Sequence, residues 1–473
     1  MKICVLQVDY STTSVDYKQW DPRRDLTDLL AGHEVHHEFL NKLTIYKQLK
    51  ALSTQGFDIF LNLIDGYFEW EVPSIEPIDW LERLRLPYTG PTPQLYHVPK
   101  PIMKFIAHSG GVKTPAHAVI AAGDDIAAAV RGLRFPLFVK PAHAGDSLGI
   151  DAASRAEDLA ALTPKVEAIC AEFGEALVEE FIEGRELTVL VVGSPDDGAP
   201  ATALTPVEYR FPPGASFKTY ANKTSDLHPD ANVPVRDEPL ASRLKDAALR
   251  VFHGFGGMGY ARMDFRMDAA GDLWFLEVNF TCSVFYTGGW DGSADFILDN
   301  DPMGRRGFAE RIIAEGVARH RRAAKPYVMR GNAVSGYGIF ATRPIAAGER
   351  VWRGEGRAQR IVTERHARGW MPMKRDEFQR YAIALSDHVY AIWSDNPEDW
   401  APQNHSCEAN TVLDGLDIVA CRPIAMGEEL TLDYGTFLDA RGEAFDCACG
   451  SATCRGRIVG TPGNSTTTRE RGR

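Results

Sequence analysis

The sequence predicts a multidomain protein: an α/β part over roughly the first two thirds, then a smaller, mostly β part of the α+β class. Three observations carry this. At 473 residues the chain exceeds what one hydrophobic core organises, so two or three domains are expected. Its first 63 residues alternate apolar and amphipathic segments in the rhythm of a parallel sheet with crossover helices. The last third changes to short, glycine-bounded strands and ends in a cluster of cysteines.

In order, Lys2 to Val8 is a nearly continuous apolar run and reads as a buried first strand. Asp25 to Leu30 then reads as helix, Gly32 to Phe39 as strand, Ile45 to Leu52 as helix and Phe57 to Leu63 as strand. The turn-rich run from Leu86 to Pro93 ends this first α/β domain, residues 1–90.

A second segment, residues 91–318, opens with a helix carrying Lys100 and Lys104. Phe135 to Pro141 reads as a strand that ends at Lys140, ahead of the small-residue loop Ala144-Gly145-Asp146-Ser147-Leu148-Gly149. A lysine beside a glycine loop can neutralise and cover phosphate; in isolation the same pair is a surface lysine next to a turn. Leu177 to Glu186 follows, rich in acids, and Gly259 to Phe265 leads through a turn at Ala270-Gly271 to Leu276-Glu277-Val278-Asn279. Across two antiparallel strands Asp264 can face Glu277 and Asn279, which share a strand face because they are two residues apart. Three oxygen donors there suit magnesium held with nucleotide phosphates. The competing reading, acids on a solvated strand face, is weakened by apolar Leu276 and Val278 beside them.

On these stretches residues 1 to about 318 resemble the ATP-grasp enzymes, nearest to the D-alanine:D-alanine ligase branch. The resemblance implies the ATP-grasp fold and a reaction through an acyl phosphate, and it assigns roles by motif. Lys100, Lys140 and Lys223 would contact ATP phosphates, Glu179, Glu180, Phe181 and Ile182 would hold the adenine, and Glu186 the ribose. Arg262 would steady the acyl phosphate, with Asp264, Glu277 and Asn279 on Mg2+. Two departures bear on the substrate. After the final Asn the ligases run into Pro-Gly, whereas Phe280-Thr281-Cys282-Ser283 follows here. Their glycine-rich opening loop, with its substrate-facing glutamate, is replaced by Val8-Asp9-Tyr10-Ser11-Thr12-Thr13. The ATP machinery matches and the acceptor pocket does not, so D-alanine is not the expected substrate.

His320 to Lys325 reads as a helix end within a linker, residues 319–325. Beyond it come Ser335-Gly336-Tyr337-Gly338-Ile339-Phe340-Ala341, Asn404-His405-Ser406-Cys407-Glu408-Ala409-Asn410, Glu429 to Gly435, and Cys447-Ala448-Cys449-Gly450 with Cys454. Gly336 and Gly338 remove side chains where backbone turns tightly or approaches a ligand; alone they would be a hairpin turn. Cys447, Cys449 and Cys454 form C-x-C-x4-C, and Cys407 is the other cysteine set in an ordered motif. Four thiolates make a closed tetrahedral zinc site, which can hold a segment too short for its own core. Stray buried thiols are the bland alternative, and a redox pair would want C-x-x-C spacing.

Four motifs in this order resemble the SET-domain lysine methyltransferases with their post-SET zinc segment. The resemblance implies a SET domain over 326–440, a zinc segment over 441–460 and a polar tail, 461–473, expected to be disordered. It places S-adenosylmethionine against Gly336, Tyr337, Gly338, Asn404 and His405, and Zn2+ on Cys407, Cys447, Cys449 and Cys454. Tyr434, where amine and methyl group would meet, becomes the catalytic candidate beside Arg262 of the first part. Methyl transfer is an in-line displacement at a sulfonium carbon, so the protein mainly orients a neutral amine and stabilises dispersed charge. A neutral tyrosine hydroxyl does this by hydrogen bonding, although a buried aromatic closing a strand is the competing reading.

Composition bounds the partners. Residues 326–473 hold 18 Lys plus Arg against 19 Asp plus Glu, so nearly all of the net charge of -12 falls on the first 325. No basic surface for nucleic acid is expected. There is no apolar run of about 18 residues and no signal peptide, so a cytoplasmic protein with reduced thiols and no membrane partner is expected, with oligomerisation left open. The combined expectation is a bifunctional enzyme: an ATP-dependent carboxylate–amine ligase fused to an S-adenosylmethionine-dependent N-methyltransferase, acting on an amino-acid or peptide-like small molecule. Two alternatives stand beside it. One is a protein lysine methyltransferase whose ATP-grasp part recognises or modifies the target; the other is a ligase with a non-catalytic, zinc-held SET binding module.

Overall fold

In a computed structural model the chain divides into two compact units, Met1–Arg322 and Ala323–Arg473. The described residues are all but 15–20, 67–70, 146–147, 197, 212–215, 218–230, 333–334, 355–359, 387, 393–400 and 462–473. Lys223, part of the 144–149 loop and the tail beyond Thr461 therefore lie outside them.

In the first unit β1 (Lys2–Val8) lies between β2 (Glu34–Leu40) and β3 (Ile59–Asn62) in a parallel sheet. Ile3, Cys4, Val5 and Leu6 are all fully buried, so both faces of β1 are covered and its apolar run needs no alternation. Between β2 and β3, α1 (Ile45–Leu52) buries Ile45, Leu49 and Leu52 on one stripe. The helix expected over Asp25 to Leu30 does not form. Turns occupy that stretch, and the Asp25 carboxylate accepts from Thr27 N at 3.0 Å and Thr27 Oγ1 at 2.6 Å. Such local side-chain bonds compete with a helical ladder.

Next, α2 (Lys100–Ser109) precedes β4 (His117–Ala121) and β5 (Leu137–Pro141). Asp158, accepting from Ala161 N at 2.9 Å, caps α3 (Leu159–Phe173), and Gly174 ends it at φ +84°. β6 (Glu175–Glu180) then inserts between β4 and β5, antiparallel to both. A second antiparallel sheet holds β7 (Arg185–Val192), β8 (Tyr260–Met267) and β9 (Leu273–Asn279), with β8 between the other two. Against it α4 (Glu238–Gly254) presents Leu240, Leu244, Ala247 and Val251, a stripe at helical spacing that shares one core with Val189, Met263 and Phe275.

The linker expected over 319–325 is instead helical as far as Ala323, the end of α5 (Gly304–Ala323). Arg319 explains the extra turn: it donates to the Tyr88 carbonyl at 2.8 Å and the Gly90 carbonyl at 2.9 Å.

The second unit opens with the hairpin β10 (Tyr327–Asn332) and β11 (Gly336–Ala341). Its larger sheet is built of β12 (Arg350–Trp352), β13 (Asn404–His405), β14 (Thr411–Asp414), β15 (Asp417–Ala420) and β16 (Thr431–Leu432), in the spatial order β12, β15, β14, β16, β13. Ile339, Val351, Trp352, Ile418 and Leu430 fill its core. None of the described helices is long and apolar enough to cross a membrane.

Candidate functional site

The first unit gathers charge on one face of the β8–β9 hairpin. Asp264 pairs with Glu277 and Arg262 with Asn279 in the ladder, so strand alternation puts all four on one face. Met263 and Val278, between them, point into the core. Arg262 donates to both Asp264 oxygens at 3.1 Å, and Thr188 Oγ1 adds a bond of 2.7 Å. Burial opposes the Arg262 charge, but the adjacent Asp264 carboxylate outweighs it and raises the guanidinium pKa. Three oxygen-bearing side chains, Asp264, Glu277 and Asn279, thus converge beside a fixed cation, a donor set that fits a hard divalent ion.

Opposite stand three lysines. Lys100, near the start of α2, lies with Nζ 3.8 Å from Glu277 Oε2 and also donates to the Ala144 carbonyl. Lys140, at the end of β5, lies 2.7 Å from Glu179 Oε1. Lys104, one helical turn beyond Lys100, lies 2.5 Å from Glu179 Oε2. Glu179 is therefore the shared counter-ion of two buried ammonium groups, and its carboxylate is not turned toward a base. Glu180 likewise points to Arg134, at 2.7 Å. Of the stretch expected to hold adenine, Phe181 and Ile182 line a cleft without such an ion pair.

Of these residues, Lys140, Glu179 and Glu180 line that cleft with Phe138, Phe181, Ile182, Glu186, Arg262, Asp264 and Glu277, while Lys100 lines a second. Arg266 also lines the first, stacked 4.7 Å over Phe181 and 3.2 Å from Glu186. The second cleft shares Arg262 and Glu277 and runs on to Asp65, His97, His143, Thr281 and Ser283. Sequence reasoning passed over Lys104 and Arg266. The Lys100–Lys104 spacing was a signal for the first; none marked the second.

In the second unit the glycine motif is held by one carboxylate. Glu429 accepts from Asn332 Nδ2 at 2.7 and 2.8 Å and from Asn404 Nδ2 at 2.7 Å, and Asn404 also donates to the Tyr337 carbonyl at 2.7 Å. Gly336 needs its positive φ of +87°. At Gly338 the need is space, since a Cβ would lie 2.2 Å from Glu429 Oε1. The His405 ring is buried, which lowers its pKa; Nδ1 accepts from Tyr434 N at 3.1 Å and Nε2 lies 3.5 Å from Cys407 Sγ. Both ring nitrogens of His405 thus face partners within the protein.

Tyr434 donates to the Gln403 carbonyl at 2.5 Å and lines a pocket with Tyr381, Ile383, Gln403, Leu432 and Phe437. Burial raises its hydroxyl pKa, so it stays neutral in the physiological range. The four sulfurs of Cys407, Cys447, Cys449 and Cys454 lie within 4.8 Å of one another, with Cys407 and Cys447 3.9 Å apart. A tetrahedron of thiolates around zinc has edges of about 3.8 Å, so the cluster fits that ion. Arg455 couples it to the tyrosine: its backbone N lies 3.4 Å from Cys407 Sγ while its guanidinium donates to Asp433, next to Tyr434.

Comparison with known proteins divides the chain in the same way. A family model for the D-ala D-ala ligase C-terminus matches residues 112–284, and one for the SET domain matches 336–435. The D-alanine–D-alanine ligase of Bordetella petrii is 33% identical over 270 residues, 54% of this chain and 78% of that protein. That of Herminiimonas arsenicoxydans is 35% identical over 247 residues, 49% of this chain and 69% of that protein. Among solved structures, the Bacillus anthracis D-alanine–D-alanine ligase complexed with ATP aligns at TM-score 0.51 and 18% identity, covering 68% of this chain and 99% of that one. The fold of the first unit is thus that of these ATP-grasp ligases.

Proposed function

The chain belongs to the D-alanine–D-alanine ligase family through its first unit and carries a SET domain in its second, and from that premise we propose a bifunctional enzyme. Its first activity is ATP-dependent carboxylate–amine ligation through an acyl phosphate; its second is S-adenosylmethionine-dependent N-methylation. The reading is carried by the presence, in each unit, of a separate set of groups suited to one of these reactions.

In ligation, Lys100 and Lys140 would hold ATP phosphates, Phe181 and Ile182 the adenine, and Glu186 the ribose. Lys104 and Glu179 keep Lys140 in place. Asp264, Glu277 and Asn279 would hold magnesium, which when bound neutralises phosphate charge. Arg262 would steady the acyl phosphate as the amine attacks. In methylation, the β10–β11 turn, Tyr337, Gly338 and Asn404 would seat the cofactor, and Tyr434 would close the site where the amine lies. Zinc on the four cysteines would supply structure, fixing the segment after Asp433.

The substrate is taken to be an amino-acid or peptide-like small molecule, not D-alanine. Support comes from the second cleft, where Phe280-Thr281-Cys282-Ser283 replaces the family's Pro-Gly run and Ser283 Oγ donates to Asp65 at 2.6 Å. Free thiolates in the zinc set suit a reducing, cytoplasmic compartment. The test is mass spectrometry of the protein incubated with ATP, magnesium, methyl-labelled S-adenosylmethionine and a cell extract split by size. Label in a small product that also requires ATP is the expected result. Label confined to protein lysines, indifferent to ATP, would replace this reading with a protein methyltransferase.

A further inference from the structure

The ligation chemistry leaves one buried cation of the nucleotide cleft without a part, Arg266. The β7–β8 ladder sets it directly across from Glu186. As the second residue after Asp264 it also stands on the strand face that carries Arg262 and Asp264, with Phe265 between them in the core. Its guanidinium is fixed by backbone and by a ring. One terminal nitrogen donates to the Ile182 carbonyl at 2.8 Å, and the other donates to the Ser216 carbonyl and lies 3.2 Å from Glu186 Oε2. The group stacks 4.7 Å over Phe181. The Arg266 side chain is 3% exposed, whereas that of Glu186 is 15% exposed and lines the same cleft. The cation is thus enclosed, and its carboxylate partner keeps surface open to the cleft. A buried arginine is a poor way to add stability, since an apolar residue packs there without desolvating a charge. What the charge adds is orientation. A glutamate side chain loses rotamer freedom when it engages a ligand, and one already held by a fixed cation loses less.

We propose that Arg266 is a positioning residue of the nucleotide site: it holds the Glu186 carboxylate where the ribose hydroxyls reach it. Through Phe181 and Ile182 it also ties that carboxylate to the segment taken to hold the base. The cleft then selects nucleotides that carry 2′- and 3′-hydroxyls, because these donate to a charged acceptor already in place. This rests on the ligase reading, which gives Glu186 the ribose, and adds the residue that makes the contact selective.

The test uses the full chain with magnesium and two probes of equal charge, ATP and 2′,3′-dideoxy-ATP, by titration calorimetry. The wild type is expected to bind ATP about tenfold more tightly than the dideoxy probe. In Arg266→Met the preference should fall to about twofold or less, chiefly through weaker binding of ATP. Arg266→Lys, which keeps a cation opposite Glu186, should retain about half of the wild-type ratio. Glu186→Gln, which leaves the arginine its acceptor oxygen but removes the charge, should lose the preference as Arg266→Met does, and the double variant should lose no more than either alone. A purely structural role would weaken both probes alike and leave their ratio at the wild-type value. That result overturns the proposal, as does equal binding of the two probes by the wild type or an undiminished ratio in Glu186→Gln. ATP-dependent ligation is followed in parallel on the same samples. Its absence with every amine would remove the ligase reading, while the ratio of the two affinities still decides the role of Arg266.

Discussion

Lys104 Nζ lies 2.5 Å from Glu179 Oε2, with both side chains closed off from solvent, and Lys140 holds the other oxygen at 2.7 Å. Burial alone would raise the Glu179 carboxyl, but the two ammonium groups outweigh it and hold its pKa at about 2. A depressed carboxyl pKa stabilises the fold above the unfolded value of 4.5, and that contribution fades as pH falls from there toward 2. Acid titration of thermal stability should show this loss. Glu179→Gln should lower stability at neutral pH by about 3–5 kcal/mol, because two buried cations lose their partner. A variant as stable as the wild type would show that the triad is not held by this charge.

Gly338→Ala should weaken S-adenosylmethionine binding by about tenfold or more, roughly 1.4 kcal/mol, and leave ATP turnover alone. The added Cβ, 2.2 Å from Glu429 Oε1 and 3.0 Å from Asn404 Nδ2, displaces the carboxylate that fixes both asparagines. Calorimetric titration with the cofactor reads this directly. Unchanged affinity would place the cofactor away from the glycine motif.

Asp264→Asn leaves Arg262 without its bidentate carboxylate partner and removes a charged metal ligand candidate. ATP turnover should drop to background with methyl transfer intact. Tyr434→Phe should do the reverse, cutting methyl transfer by about a hundredfold and sparing ligation. Loss of both activities in either variant would mean that the two reactions are obligately coupled.

Metal analysis of the purified chain should find one zinc per molecule. Stripping it with a chelator should release Arg455 from Cys407 and, through Asp433, loosen Tyr434. Methyl transfer should then be lost while ATP turnover persists. A metal-free protein that methylates at the full rate would contradict the four-thiolate site.

Much of this architecture is written in local pattern. β1 is legible as an uninterrupted apolar run, and the β8–β9 face follows from alternation, since Asp264, Glu277 and Asn279 can share a side only at their observed spacing. The cysteines are legible because metal geometry constrains their separation. The helix expected at Asp25 fails for an equally local reason, the Asx bond to Thr27, which was open to sequence reasoning and not weighed.

The sequence by itself determined which residues carry charge or sulfur and which face of an element each occupies, because both depend on residue type and backbone period. Only the tertiary structure decided what each group meets. Glu179 lies within a run that resembles an adenine-binding segment, yet it answers to Lys104, 75 positions earlier, because β6 and α2 pack around it. Gln403 gives no signal in the chain at all. Yet Thr411, on β14, takes its amide nitrogen, and Tyr434, two residues past β16, takes its carbonyl. Which hydrogen-bonding groups remain unspent is a property of the packed whole.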